Sequence, residues 1–400
     1  MTFFGEFARS PLGLIFLLLS LVNVYYGWRI ARSAWQQRQA LRREPLQPGH
    51  KRLLEQAAFF VAVPPGVLIH ELFHALAVWI YGGRLVDAGY GFYFGYVAHV
   101  GVSAPRSLWV IAMAGTVGTL IYAVALWLWC RSRSASAYRF FGLRSFRVHI
   151  LYALIFYPLF SAFTFIGDWR TVYDFGATPI LSGATLAVHG AVLAAFWWAD
   201  RRGYFEMPAF ATADQQARLA QLEATAAASP HDTKAQLRLL EGYRQAGLER
   251  QAQRFARKIL QRHPNSAAAH LQLALIQAQG QRQVPPKAAK NAQRALELGL
   301  NHDTAVAYAH HLAGQYALGL GKDEQALDHF SRGKEAARQA QQAPLEAQFS
   351  YQRALAQRRL GRYQAAWEDA QEAVRLAEAV GLEQAAAQYR GELETIRAHQ

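Results

Sequence analysis

The chain divides by the pattern of its apolar positions. Through the first half, long apolar runs recur with few charges: Pro11 to Ile30, about Ala57 to Tyr81, about Leu108 to Cys130, about Val148 to Gly167, and about Ala177 to Ala199. A helix needs roughly 20 mostly apolar residues to cross a bilayer, and each run approaches or exceeds that length. Five spans are predicted. No small-x-small cleavage site follows the first run, so it reads as a span and not as a cleavable signal peptide. In the second, Pro64-Pro65-Gly66 is expected to break the helix about one turn before His70, because proline cannot donate a backbone hydrogen bond.

Between the second and third runs, Arg84 to Pro105 loses the helical period. Tyr, Phe and Val alternate with Gly through GYGFYFGYVAHVGV, which predicts a short β-hairpin. From about Pro208 the apolar positions return to helical spacing on an Ala-, Gln-, Arg- and Glu-rich background. Turn glycines then recur at Gly247, Gly280, Gly321 and Gly361, in steps of 33, 41 and 40, the self-similarity of a helical repeat array. The predicted fold is mainly α: a polytopic transmembrane helical domain with a short β-hairpin over residues 1–206, followed by a soluble α-helical repeat domain over 207–400.

Composition changes the picture in two places. The chain is 52% hydrophobic and 18% charged, with a net charge of +14, which excludes a disordered chain. Residues 1–206 hold 18 Lys and Arg against 9 Asp and Glu, and the remainder 24 against 19. The positive residues do not call for nucleic acid, because they gather beside apolar runs: six between Arg32 and Arg52, five between Arg131 and Arg147. By the positive-inside rule both segments face the cytoplasm, which puts the N-terminus outside and everything after Ala199 inside. Cys130 is the lone cysteine, which rules out an intramolecular disulfide and any Cys-rich zinc module.

The chemistry concentrates in His70-Glu71-Leu72-Phe73-His74. Residues four apart on a helix share a face, so both imidazoles can hold one metal ion, and the Glu between them can take a proton from water. An ionisable cluster inside an apolar run is costly, and such clusters are usually functional. A third ligand is needed. Ala77 and Ile80 stand where an extended zincin motif would carry Gly and His, and no Glu occurs between Glu71 and Glu206. That leaves Asp87, Asp168, Asp174 and Asp200. Asp168 is favoured because it closes an apolar run, where an unpaired carboxylate is expensive; Trp169 beside it is expected at the water boundary. His99 and His189 read as packed histidines, His149 as a surface residue of a basic loop, and Trp127, Trp129, Trp197 and Trp198 as an interfacial belt.

HELFH at 70–74, MAGTVGTL at 113–120 and IGDW at 166–169 together resemble the site-2 protease family of intramembrane zinc metalloproteases. The resemblance implies Zn²⁺ held by His70, His74 and Asp168, Glu71 as the catalytic residue, and a membrane-protein substrate. Ala114-Gly115 fit the family pattern. Thr116 stands where that pattern has Pro, Thr119 where it has Asn, and Gly167-Asp168-Trp169 where it has Leu-Asp-Gly. Family members commonly run the HExxH span in the direction opposite to the one the charges give here. The second half resembles the tetratricopeptide repeat, which implies a protein partner. The expectation is an integral protein of the bacterial inner membrane with cytoplasmic repeats; the alternative is a catalytically inactive, membrane-anchored scaffold displaying them. A membrane diiron enzyme would need more His pairs than the chain holds. Reporter fusions after Arg52, Ser136 and Gln400 are expected to read cytoplasm and one near Val102 the opposite side; the reverse pattern would overturn the charge-based orientation.

Overall fold

The computed structural model describes residues 11–164 and 167–398. They form two compact units, Met1–Arg218 and Leu219–Gln400. In the first unit, α1 (Pro11–Gln36), α2 (Pro48–Phe60) and α3 (Val63–Ile80) lead to a hairpin of β1 (Arg84–Tyr90) and β2 (Gly95–Val100). There follow α4 (Pro105–Arg131), α5 (Ser136–Leu151), a π-helical turn (Tyr152–Phe156), α6 (Tyr157–Thr164), α7 (Asp168–Val172) and α8 (Pro179–Arg201). Among the described residues five helical stretches are long and apolar enough to cross a membrane: Gly13–Gln36, Pro48–Ile80, Pro105–Arg131, Ser136–Phe163 and Pro179–Arg201. Their outward faces are apolar too; Phe163 is 79% exposed and Ile180 82%. Exposed apolar surface on that scale marks a face made for an apolar neighbour.

Three local readings are corrected. The break in the second run falls at Val61 and Ala62, and Pro64 and Pro65 lie in the first turn of α3. Proline is tolerated there because the first-turn N–H groups have no acceptor within the helix. The basic segment before residue 148 is not a loop. From Ser136 on it lies in α5, where Arg144 pairs with Glu55 and Arg147 Nε donates to Asp200 Oδ1 at 3.2 Å. His149 is therefore buried, donating from Nδ1 to the Ser145 carbonyl at 2.7 Å. It sits where α3 crosses α5 at Gly66: a Cβ there would fall 2.5 Å from His149 Nε2.

The segment after α8 belongs with the first unit. Lys51 Nζ donates to the Met207 carbonyl at 2.9 Å, and the Phe210 N–H to the Leu46 carbonyl at 2.9 Å. These contacts carry the division of the chain past 206 to Arg218. The C-terminal ends of α1, α4 and α8 share one device, an arginine four residues after a tryptophan with its guanidinium over the ring. Arg32 lies over Trp28 at 5.4 Å, Arg133 over Trp129 at 4.4 Å and Arg201 over Trp197 at 4.1 Å. The hairpin forms as expected, antiparallel from Arg84↔Val100 to Tyr90↔Gly95, with a bulge between Leu85 and Asp87. It is a two-stranded sheet.

The second unit is a tandem of antiparallel helix pairs of the tetratricopeptide-like kind. The division of the chain falls within α9 (Ala213–Ala228). The pairs that follow are α10 (Thr233–Gln245) with α11 (Glu249–Arg262), α12 (Ala267–Ala278) with α13 (Pro286–Leu298), α14 (Asp303–Gly319) with α15 (Asp323–Gln339), and α16 (Ala343–Arg359) with α17 (Tyr363–Ala379). Helix α18 (Glu383–Arg397) follows the last pair. Positive φ recurs at Gly321 (72°), Gln341 (55°), Gly361 (73°) and Gly381 (73°), so the 40-residue step between like glycines is two helix-and-turn units of 20. Small residues let the helices close on aromatic knobs. A Cβ on Gly314 would lie 2.4 Å from the Phe330 ring, and one on Gly333 the same distance from Phe349, both rings being fully buried.

Histidines are packed into this array. His310 Nδ1 on α14 stands 3.0 Å from His329 Nδ1 on α15. Burial holds His310 down to about 4, helped by the charges of His329 and Arg332, and burial likewise holds His311 down to about 4. Both groups lie below the ordinary value of 6.5, so the unfolded chain takes up these protons first as pH falls. Their contribution to stability is complete above about pH 6.5 and is lost as pH falls toward about 4. The unfolding temperature of the repeats, followed by far-ultraviolet dichroism, is expected to fall across that window, and less steeply in His310→Gln.

Candidate metal centre

The centre begins with the HExxH stretch on α3. His70 and His74 lie one turn apart, their rings 4.6 Å between centroids. Thr119 Oγ1, one turn along α4 from Gly115, donates to the Gly115 carbonyl at 3.1 Å. That leaves the hydroxyl oxygen to accept from His70 Nδ1, also at 3.1 Å. His74 Nδ1 donates to the Ile111 carbonyl at 2.7 Å. Each neutral ring so held turns an unprotonated Nε2 inward. A metal-binding histidine fixed through its other nitrogen has this arrangement.

Asp168 arrives from the far side of the unit, at the start of α7. Its Oδ2 lies 3.0 Å from His70 Nε2 and 3.0 Å from His74 Nε2. Among the described residues His70, His74 and Asp168 form the group of three that could hold a metal ion, with ligand atoms within 4.8 Å of one another. Two ligands about 2.1 Å from a shared tetrahedral ion stand roughly 3.4 Å apart, so the spacing suits zinc. The donor set points the same way. Two imidazole lone pairs and a carboxylate oxygen facing one another repel unless a cation, or a proton on each ring, lies among them. Helix α4 leaves room beside them: a Cβ on Gly115 would fall 2.3 Å from His74 Nε2 and 2.5 Å from His70 Nε2.

Glu71 sits on the hairpin side. A Cβ on Gly95, the first residue of β2, would fall 2.7 Å from Glu71 Oε1, so the glycine lets this strand pass directly over the carboxyl. The other carboxylates are engaged elsewhere. Asp87 Oδ2 accepts from the Tyr96 hydroxyl at 2.9 Å, Asp174 Oδ1 from the N–H groups of Gly176 and Ala177 at 3.0 Å, and Asp200 Oδ1 from Arg147. His99 lies on β2 opposite Leu85. Trp169 is buried at 3% exposure and packs at a tilt against His189, 4.8 Å between ring centroids, so it is not the water-boundary residue its neighbourhood predicts. Ile166 of the IGDW stretch lies outside the described residues. A cavity of about 1010 Å³ opens beside α7, bordered by Leu108, Pro158, Trp169, Arg170 and Asp174.

No family model matches the chain, and no curated protein matches it. Solved structures with local similarity include the MamA protein at 19% identity, covering 42% of this chain and 87% of that one with a TM-score of 0.30. Another is TTC0263, a thermophilic TPR protein of Thermus thermophilus, at 17% identity over 45% of this chain and 90% of that one, TM-score 0.33. At these scores the likeness adds nothing to the helix pairs described above.

Sequence reading missed three parts of the centre. Gly115 and Thr119 lie in the MAGTVGTL stretch, where Thr119 registers as a departure from a family pattern and not as the partner of His70. Tyr157, whose hydroxyl donates to Asp168 Oδ2 at 2.8 Å, carries no sequence signal. Gly115→Ala is expected to push the imidazoles apart and lower any uptake of added zinc by the trio while α3 and α4 stay helical, read by metal analysis and dichroism of the purified chain. Full zinc occupancy in that variant would contradict the crossing described here.

Proposed function

We propose that the chain is a membrane-embedded, zinc-dependent peptidase of the site-2 protease kind, with tetratricopeptide-like repeats that bind a protein partner or a substrate tail. The observation that carries this reading is the convergence of His70 Nε2 and His74 Nε2 on Asp168 Oδ2, with Glu71 one residue from His70 on the same helix. His70, His74 and Asp168 would hold the ion. When bound, zinc supplies Lewis-acid polarisation of the scissile carbonyl and acidifies water. Glu71 would take a proton from the attacking water as the new C–O bond forms, and then deliver it to the amine nitrogen as the C–N bond breaks. An amide inside a helix hides its carbonyl, so the substrate must be extended at the site. The two-stranded hairpin passing over Glu71 at Gly95 offers such a segment backbone partners. The five apolar helices would cross the bacterial inner membrane, and the Trp–Arg ends of α1, α4 and α8 agree with the cytoplasmic side that the charge distribution assigns.

A second reading keeps the fold and drops the reaction: a membrane-anchored scaffold whose repeats assemble proteins. It is favoured by Thr116, Thr119 and Trp169, which depart from the protease pattern. Glu71 weighs against it, since a structural metal site needs no base there. Purified protein is expected to hold about one zinc per chain. Glu71→Gln is expected to retain zinc but lose cleavage of a co-expressed membrane protein by about 10²-fold or more, and His70→Ala to lose both. Undiminished cleavage in Glu71→Gln would sink the peptidase reading; zinc retained without cleavage by any form would leave the scaffold.

A further inference from the structure

Tyr157 stands in an apolar stretch where a phenylalanine would satisfy packing equally well. Its hydroxyl is used twice, donating to Asp168 Oδ2 at 2.8 Å and accepting from the Asp168 backbone N–H at 3.3 Å. The ring edge packs against His70, 5.5 Å between centroids at 75°. One side chain thus touches two of the three residues that converge at the centre.

The surrounding backbone is shaped to bring this about. The five residues before Tyr157 form a π-helical turn, a form concentrated at functional sites. Gly167, next to Asp168, has φ of 112°, and a Cβ there would lie 2.5 Å from Ser161 Oγ and 3.2 Å from the Tyr157 hydroxyl. Only glycine lets Asp168 come this close beneath the phenol. His189 then ties the two segments together. Its Nε2 donates to the Leu154 carbonyl in the π turn at 2.6 Å, and its Nδ1 accepts from the Tyr173 hydroxyl, just after α7, at 2.5 Å. The turn that leads into Tyr157 and the residue that follows the helix of Asp168 are fastened by the same imidazole.

We propose that Tyr157 is a positioning residue of the metal centre: its hydroxyl fixes the Asp168 carboxylate so that Oδ2 faces the two imidazoles. The inference rests on the zinc reading above. The Tyr157 hydroxyl restricts the Asp168 carboxylate at Oδ2, and a ligand whose orientation is less restricted binds more weakly. Partners that orient metal ligands in this way typically change affinity 10- to 100-fold when removed. The effect belongs to Asp168 and vanishes when Asp168 is gone.

The test measures zinc affinity by chelator competition on the full chain in detergent, for the wild type, Tyr157→Phe, Asp168→Ala and the double variant. Tyr157→Phe is expected to bind about 10- to 100-fold more weakly, and the double variant to match Asp168→Ala. The visible bands of the cobalt-loaded protein are expected to shift in Tyr157→Phe, while its metal-free unfolding profile follows the wild type. Equal zinc affinity in wild type and Tyr157→Phe overturns the inference alone. So does an equal loss from Tyr157→Phe in the presence and absence of Asp168, which would mark the tyrosine as a packing residue. A wild type that takes up no zinc overturns the centre and the inference together.

Discussion

The first unit depends on one close approach, that of α3 and α4 at Gly115. A helix that carries two histidines at its contact face can come near a neighbour only where the neighbour has no side chain. Gly115 provides that gap, and a methyl group there would overlap both Nε2 atoms. The neighbouring helix also closes the polar side of each ring, through Thr119 for His70 and the Ile111 carbonyl for His74. Every later element works from this pair. The hairpin lies over Glu71 because β2 has a glycine at residue 95, and Asp168 meets the imidazoles because Gly167 bends the chain beneath Tyr157.

Glycine serves the two units differently. In the first, glycines at 66, 95, 115 and 167 admit polar groups into an apolar body, next to His149, Glu71, the histidine pair and Tyr157. In the second, Gly314 and Gly333 admit phenylalanine rings. The first arrangement makes a place where unpaired polar groups would be costly. The second makes dense, interchangeable packing. The division of chemistry between the units follows from it: the polar constellation lies in one, and a repeating surface in the other.

Long-period features were legible in the sequence. The five apolar stretches, the hairpin and the helical array all declare themselves through the spacing of apolar residues, and the HExxH spacing places two imidazoles on one helical face whatever surrounds them. What was illegible depends on partners distant in the chain. Arg144 and Arg147 look like loop charges until Glu55 and Asp200 are seen beside them. His149 is buried because Gly66 lies across from it, and the proline pair falls in the first turn of α3, just past the break at Val61 and Ala62. The turn at 341 hid because a glutamine, not a glycine, takes the positive φ there. Tyr157 could not be found at all, since a tyrosine in an apolar run is an ordinary belt residue until its hydroxyl is traced.

The 20-residue step of the array bears on how such a chain can change length. Helix and turn together form the unit that repeats, yet the first helices of successive pairs pack on one another, α10 on α12, α12 on α14, α14 on α16 and α16 on α18. Copying one helix would bring the next into the wrong layer and expose the face it should bury. Copying two restores the alternation. Gene duplication can therefore lengthen this region only in increments of two helices, and a lineage that gained or lost a single one would have to rebuild every interface downstream of it.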